Sequence, residues 1–273
     1  MRLRAPLGVP GGDVPTVSII IPVFNQLAYT RQCLEYIEKC TDIAYELIIV
    51  DNASTDGTAV FLRGVRATVL TNATNRGVAG AWNQGVAASR GSYVVLVNND
   101  VLVTPGWLGR LMTFMEAEGH GIASPAIRAG PLNYDLFAYA EAFTRTCARA
   151  TRREASGCCM VIAREVFDRV GLFDEGFRIG TFEDTDFFWR ARCAGITMAM
   201  TGAVLVHHFG EVTQREVRRV LGAYWRPNAS RFAAKWGRSV DGGWLVRRAG
   251  KIRRFTQRTY ERLRYGHTLI EFW

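Results

Sequence analysis

Apolar and polar positions along this chain fall into blocks of two kinds. Short, nearly continuous apolar runs stand at 17–23 (Val-Ser-Ile-Ile-Ile-Pro-Val), 46–51 (Glu-Leu-Ile-Ile-Val-Asp), 67–70 (Ala-Thr-Val-Leu) and 93–97 (Tyr-Val-Val-Leu-Val). Such runs suit buried strands and are too short for ordinary helices. Between them the pattern turns helical, as at Leu27, Arg31, Leu34, Ile37 and Glu38, and in the small-residue stretch opened by Asn75-Arg76-Gly77. Alternating strand and helix, with strands apolar on both faces, predicts an α/β fold: a mainly parallel sheet flanked by helices. Pro22 has no N–H to donate and is expected to end the first ladder.

Past residue 100 the rhythm changes. A helix is expected from Pro105, a short strand at 121–125, a return to the sheet at 156–163 and a helix from Glu183 to Cys193. A last strand is expected at 203–207 and helices from Gln214 onward, whereas 126–155 reads as irregular and basic. No repeat or low-complexity linker interrupts the chain. It divides into a disordered lead-in over 1–15, one α/β domain over 16–210 and a basic C-terminal helical extension over 211–273.

Composition narrows the class. The 273 residues are 48% hydrophobic and 22% charged, ordinary for a soluble protein. No apolar run approaches the roughly 20 residues of a membrane span. The first residues lack the apolar middle of a signal peptide, so a cytoplasmic location is expected. Six cysteines without a C-x-x-C pair read as reduced core residues. The net charge of +9 is concentrated late: Arg247, Arg248, Lys251, Arg253, Arg254, Arg258, Arg262 and Arg264 face one acid, Glu261. Interleaved with Trp244, Leu245, Ile252, Phe255, Tyr260 and Leu263, they make 244–265 either a helix lying on an anionic membrane surface or a solvated helix that packs on the domain or joins two copies. The first choice adds peripheral attachment at the inner face of the membrane. No recognition module for nucleic acid accompanies the charge.

The candidate chemistry sits where strands end. In an open α/β sheet the carboxyl ends of the strands face the ligand crevice. Two strands end there on carboxylates, Asp51 and, after Asn98-Asn99, Asp100. Asp51 can accept from the imide N–H of a uracil or thymine ring, or cap the following turn. Asn98-Asn99-Asp100 offers hard oxygens for Mg2+ or Mn2+ beside a diphosphate, or a plain turn. Arg76, at a helix start, is placed for a phosphate, ribose or base, or is a surface charge.

These segments taken together resemble the family 2 glycosyltransferases with the GT-A fold. The likeness is carried by Val17-Ser-Ile-Ile-Ile-Pro-Val-Phe-Asn25, Val50-Asp-Asn-Ala-Ser-Thr-Asp-Gly-Thr58, Asn75-Arg-Gly77 and Asn98-Asn-Asp100. It continues through Gly171-Leu-Phe-Asp-Glu175, Phe182-Glu-Asp-Thr-Asp186 and Arg231-Phe-Ala-Ala-Lys-Trp-Gly237, closest to the rhamnosyltransferase-like branch. The resemblance implies a Rossmann-like GT-A domain that moves a sugar, with inversion, from a UDP- or dTDP-type nucleotide-sugar donor to a hydroxyl of a glycan or lipid-linked acceptor in polysaccharide biosynthesis. It implies Mg2+ or Mn2+ at Asp100 and His207, and donor contacts from Pro22, Phe24, Asn25, Asp51, Arg76, Asn98 and Asn99. It implies Asp184 as general base, beside Glu183. The family's metal motif begins with aspartate where Asn98 stands here, which weakens the charge offered to a cation. Asn83 follows on the helix after Arg76 as a lining residue, and Trp82 beside it reads as packing. Tyr134, Phe137, Tyr139 and Phe143 offer stacking surfaces for an acceptor sugar. The alternative is a catalytically degenerate nucleotide-sugar binder; a dehydrogenase is disfavoured because no G-x-G-x-x-G follows the first strand.

Overall fold

A computed structural model of the chain describes residues 16–210, 224–237 and 244–272. The expected lead-in over 1–15 and the helical start at Gln214 lie outside them. The first half alternates as the apolar runs predict: β1 (Val17–Val23), α1 (Leu27–Cys40), β2 (Glu46–Asp51), α2 (Thr58–Leu62), β3 (Thr68–Thr71), α3 (Gly77–Ala88) and β4 (Tyr93–Val97). Then come β5 (Val101–Leu102), α4 (Trp107–Ala117), β6 (Ile122–Ala129), α5 (Leu136–Cys147), β7 (Thr151–Arg152), β8 (Cys159–Ala163), α6 (Arg164–Val170), α7 (Glu183–Cys193) and β9 (Met198–His208). The chain continues through α8 (Trp225–Trp236), α9 (Trp244–Tyr265) and β10 (Ile270–Phe272).

One sheet runs in the order β3-β2-β1-β4-β8-β6-β9-β5. Its first four strands are parallel, whereas β8 enters antiparallel to both β4 and β6. The sheet is thus mainly parallel, as the apolar runs predict, with short antiparallel pairings where β8 meets β4 and β6 and where β9 meets β5 and β7. Pro22 does not end the first ladder; it lies inside β1 opposite Val50. Successive residues of a strand face opposite sides, and the core divides accordingly. Ile19, Ile21, Val95 and Val97 pack with Leu34, Ile37 and Trp107 on one face, while Ile20, Val94 and Leu96 pack with Trp82 and Phe187 on the other.

Three expectations are corrected here. Residues 126–155 are not irregular: β6 runs to Ala129, and α5 buries Leu136, Ala140, Phe143 and Cys147 at helical spacing. Asp135 starts α5 by accepting from the backbone N–H groups of Phe137 and Ala138. The strand expected at 203–207 runs from Met198 to His208, with a register shift against β6 at Pro125/Ala126. The region after 210 is not solely helical, since β10 joins the sheet beside β6. Within it, α9 is tied to β7 by Arg152, whose guanidinium grips both oxygens of Glu261 at 2.6 and 2.7 Å, both side chains being buried.

Candidate active site

The parallel register of β1, β2 and β4 brings Val23, Asp51 and Val97 to one edge of the sheet. There the loops are cross-linked by amides. Asn25 accepts from the Thr55 N–H at 2.7 Å, and its own N–H donates to Ser54 Oγ at 2.8 Å. The Asp51 carboxylate, almost fully buried, accepts from the Ser54 N–H at 2.9 Å. Asn52 Oδ1 accepts from the Arg76 N–H at 2.9 Å, and its Nδ2 donates to Asn75 and to the Gly77 carbonyl. One asparagine thus joins the end of β2 to the start of α3.

The end of β4 carries the second set of groups. The Asn98 N–H donates to the Cys158 carbonyl at 2.9 Å, tying the turn to the entrance of β8. Asp100 is buried, and its Oδ1 lies 3.2 Å from Nε2 of His208. Sequence reasoning preferred His207 as Asp100's companion. The partner is His208, because the antiparallel pairing of β5 with β9 sets Val101 opposite His208 just past Asp100. Although burial penalises its charge, Cys158 and the Asp100 carboxylate outweigh it and hold the His208 imidazole well above its ordinary pKa. His207 is fully buried, with Nδ1 2.9 Å from the Tyr134 hydroxyl and Nε2 without a hydrogen-bond partner. Burial, aided by the charges of His208 and Arg128, pushes it down to about 4, so it stays neutral. Once a cation displaces the proton that His208 shares with Asp100, the carboxylate oxygen and imidazole nitrogen make a donor pair that fits a divalent ion, Mn2+ better than Mg2+. Among the described residues no cluster of three acidic, histidine or cysteine side chains could hold a metal. Phosphate oxygens and water would have to complete the shell.

The third part is the start of α7. Asp184 Oδ1 accepts from the Thr185 N–H and hydroxyl at 2.6 and 3.2 Å. Its other oxygen lies over Gly157, where a Cβ would sit 2.6 Å from Oδ2. Gly157 precedes Cys158, the residue bonded to Asn98 and interacting with His208, so Asp184 meets the Asp100 edge through a two-residue strip. Burial raises the Asp184 carboxyl, and burial together with the Asp184 charge raises that of Glu183 further. Glu183 Oε2 is buried without a partner. Asp186, fully buried, turns away to Arg190, Lys235 and Trp236.

The segment leading to α7 is strained and clamped. Ile179, Thr181 and Phe182 all have positive φ, near 69°, 82° and 72°. The other non-glycine residues with positive φ among the described residues are Asn25, Gln26 and Ala53, on the loops after β1 and β2. Such conformations cost of order 1–3 kcal/mol each and gather where function requires them. On one side Val78 N–H donates to the Ile179 carbonyl, and Gly77, at φ +74°, approaches so closely that a Cβ would lie 2.7 Å from Ile179 N. On the other side α8 supplies Asn228. Its buried amide donates to the carbonyls of Arg178, Gly180 and Thr181, and its Oδ1 accepts from the Arg178 N–H.

Several expected site residues have other employment. Asn99 donates to Thr30 Oγ1 on α1 and is buried there. Asn83 spends its amide on Phe173 and Glu175, so it braces the segment whose Glu175 pairs with Arg76 at 3.3 Å. Trp82 packs against Phe173, as expected. Phe143 is wholly buried, Phe137 packs against Tyr36, and Tyr134 and Tyr139 enclose the Arg128 guanidinium at 4.0 and 3.9 Å. These rings serve packing in place of an open stacking surface. Gly157, Cys158, His208 and Asn228 were not anticipated; only His208, beside His207 at a strand end, carried a sequence signal.

Comparison with known proteins follows the same outline. The family model described as "Glycosyl transferase family 2" matches residues 18–171. The chain is 30% identical over 227 residues to "Uncharacterized protein y4gI" of Sinorhizobium fredii, covering 73% of this chain and 25% of that protein. It is 25% identical over 220 residues to "Glycosyltransferase AglE" of Haloferax volcanii, covering 75% and 72%. The chain thus spans only a quarter of the first relative's length. Among solved structures it resembles the mannosyltransferase PcManGT from Pyrobaculum calidifontis, in complex with GDP-Man and Mn2+, with TM-score 0.58 and 21% identity over 76% of this chain and 61% of that one. It also resembles GalNAc-T7 with UDP, GalNAc and Mn2+, with TM-score 0.58 and 16% identity over 72% and 44%. At these identities the likeness establishes a GT-A fold.

Proposed function

Because the chain belongs to glycosyl transferase family 2, we propose that it is an inverting glycosyltransferase with Asp184 as its base and a UDP- or dTDP-type sugar as donor. The observation that carries this reading is the seat of Asp184 against Gly157, the neighbour of Cys158, which itself interacts with His208 beside Asp100. A sugar hydroxyl is a poor nucleophile and must lose its proton as the new bond forms. In the proposed step the acceptor oxygen attacks the anomeric carbon and its proton passes to Asp184 Oδ2. The bond from that carbon to the diphosphate oxygen breaks, and its electrons leave with the nucleoside diphosphate. Burial favours this assignment, since a raised carboxyl pKa makes a stronger base near neutral pH. Glu183, raised further, is held protonated and leaves the charge of the pair on Asp184.

Asp51 accepts from the pyrimidine N3–H, a donor that cytosine lacks. Arg76, half exposed, would exchange its pair with Glu175 for the diphosphate. Asp100 and His208 would hold the divalent ion, Mn2+ in preference to Mg2+, which would offset the charge building on the departing diphosphate. Backbone and side chains at Pro22, Phe24, Asn25 and Asn98 line the nucleoside and diphosphate. Placement in the rhamnosyltransferase-like branch, with a glycan or lipid-linked acceptor, rests on the 171–175 and 182–186 motifs.

A thermal-shift panel of nucleotide-sugars with and without Mn2+ identifies the donor through stabilisation by mass action. With that donor, Asp184→Asn should retain binding and lose turnover. A wild-type protein that binds donor but shows neither transfer nor hydrolysis in Mn2+ would favour the degenerate binder; an Asp184→Asn protein with normal turnover would remove the base.

A further inference from the structure

Six large apolar side chains stand exposed among the described residues, and three of them, Phe255, Tyr260 and Leu263, lie on the last eleven residues of α9. Phe255 is 72% exposed and Leu263 84%. With Thr259 between them, also exposed, they are spaced four apart, which places them on one line of a helix. The opposite side of α9 is the anchored one: Glu261 is buried against Arg152 and accepts from the Leu269 N–H at 3.0 Å. The strip therefore faces outward in the folded protein and is no misplaced core.

Charge borders it. Arg258 and Arg262, three and seven residues after Phe255, lie along one flank, and Arg264 lies beyond Tyr260 on the other; all are exposed. From 244 to 265 the sequence contains a single acid, Glu261, and the structure turns that one inward. No helix among the described residues is long and apolar enough to cross a membrane. An outward strip with an aromatic and an aliphatic anchor, flanked by arginines whose stems can extend to headgroups, is the pattern of a helix that lies in the interface.

We propose that α9 docks this protein on an anionic lipid surface, with Phe255 and Leu263 entering the acyl boundary and the flanking arginines meeting phosphate. A nucleic acid would satisfy the arginines and leave Leu263 in water; a second copy of this chain would bring like charge against like. The inference stands apart from the sugar chemistry and is tested without it.

The test is sedimentation of the full chain with vesicles of phosphatidylcholine alone, or with a minority of phosphatidylglycerol, at low and physiological salt. Binding to the anionic vesicles and not to the neutral ones is expected, weakening with salt. Arg262→Ala with Arg264→Ala should lower the partition coefficient about thirtyfold, from about 1 kcal/mol per basic residue. Phe255→Ser with Leu263→Ser should lower it at least about tenfold. Because all four side chains are exposed, melting temperatures should not change. Failure of the wild type to sediment, or equal sedimentation of both double variants, overturns the proposal. So does a concentration-dependent dimer that the Phe255/Leu263 variant abolishes, or displacement from vesicles by a short DNA duplex.

Discussion

Gly157→Ala separates the position of Asp184 from its mere presence. The new methyl carbon would fall 2.6 Å from Asp184 Oδ2, 3.0 Å from its Cβ and 3.1 Å from its Cγ. An ordinary contact is about 3.4 Å or more, so the carboxylate tip must retreat by roughly 0.8 Å and the side-chain stem by a few tenths. The backbone at 157 is not in the left-handed region, so alanine itself is tolerated there. What yields is the mobile end of one side chain, and the expected loss of stability is below about 1 kcal/mol. Catalysis has less latitude: a misplacement of about 1 Å costs roughly a hundredfold in rate, equivalent to about 2.7 kcal/mol of barrier. Turnover of the donor identified by thermal shift should therefore fall about a hundredfold, with donor affinity and melting temperature nearly unchanged. Full turnover in Gly157→Ala would mean that Asp184 is not the base, or that it works from elsewhere. A fall in turnover matched by a fall in melting temperature would mean that the glycine matters for folding alone.

Two further outcomes follow from the same region. Glu183 is held above its ordinary value of 4.5 by burial and by Asp184, so the folded protein binds that proton more tightly than the unfolded chain. The associated stability is complete at low pH and is lost as pH climbs above the ordinary glutamate value toward the raised one, at up to about 1.4 kcal/mol per pH unit. Urea unfolding at intervals from pH 5 to pH 8 should show this decline, and Glu183→Gln should flatten it; an unchanged slope would refute the assignment. Asn228→Ala strips a donor from three carbonyls of the 178–181 segment and should cost about 1–3 kcal/mol in urea unfolding, while kcat falls and donor affinity holds. Asn228→Asp should not rescue it, because the donating Nδ2 is gone; a rescued kcat would show that the clamp acts through Oδ1.

What could be read from the sequence depended on whether a residue's role was local. The strands β1, β2 and β4 were legible because their runs are apolar on both faces and end abruptly at polar residues. The helix α5 was not, since Tyr139 and Arg145 masked the spacing of Leu136, Ala140, Phe143 and Cys147. The short β10 had no periodic signal of its own and follows a basic helix. Among the candidate site residues, Asp51, Asp100 and Asp184 were singled out by their motifs. The identity of Asp100's companion was set by the pairing of β5 with β9, a long-range register that neither histidine announces. Asn228 lies some fifty residues from the carbonyls it serves, and nothing near it in sequence marks it.

The placement of β10 has a consequence for how the molecule is made. Strand β6 is bordered on one edge by β9; on the other, β8 covers Ile122 and Ala123, and β10 covers Ile127 to Ala129. Until residues 270–272 have left the ribosome, the far half of that edge keeps its peptide groups bare, beside the strand that delivers His207 and His208. A nascent chain stalled or cleaved before that point would expose a template for joining to its neighbours. Covering of that edge would then await the emergence of residues 270–272, and a proteolytic nick before them should yield aggregates before it yields an inactive monomer.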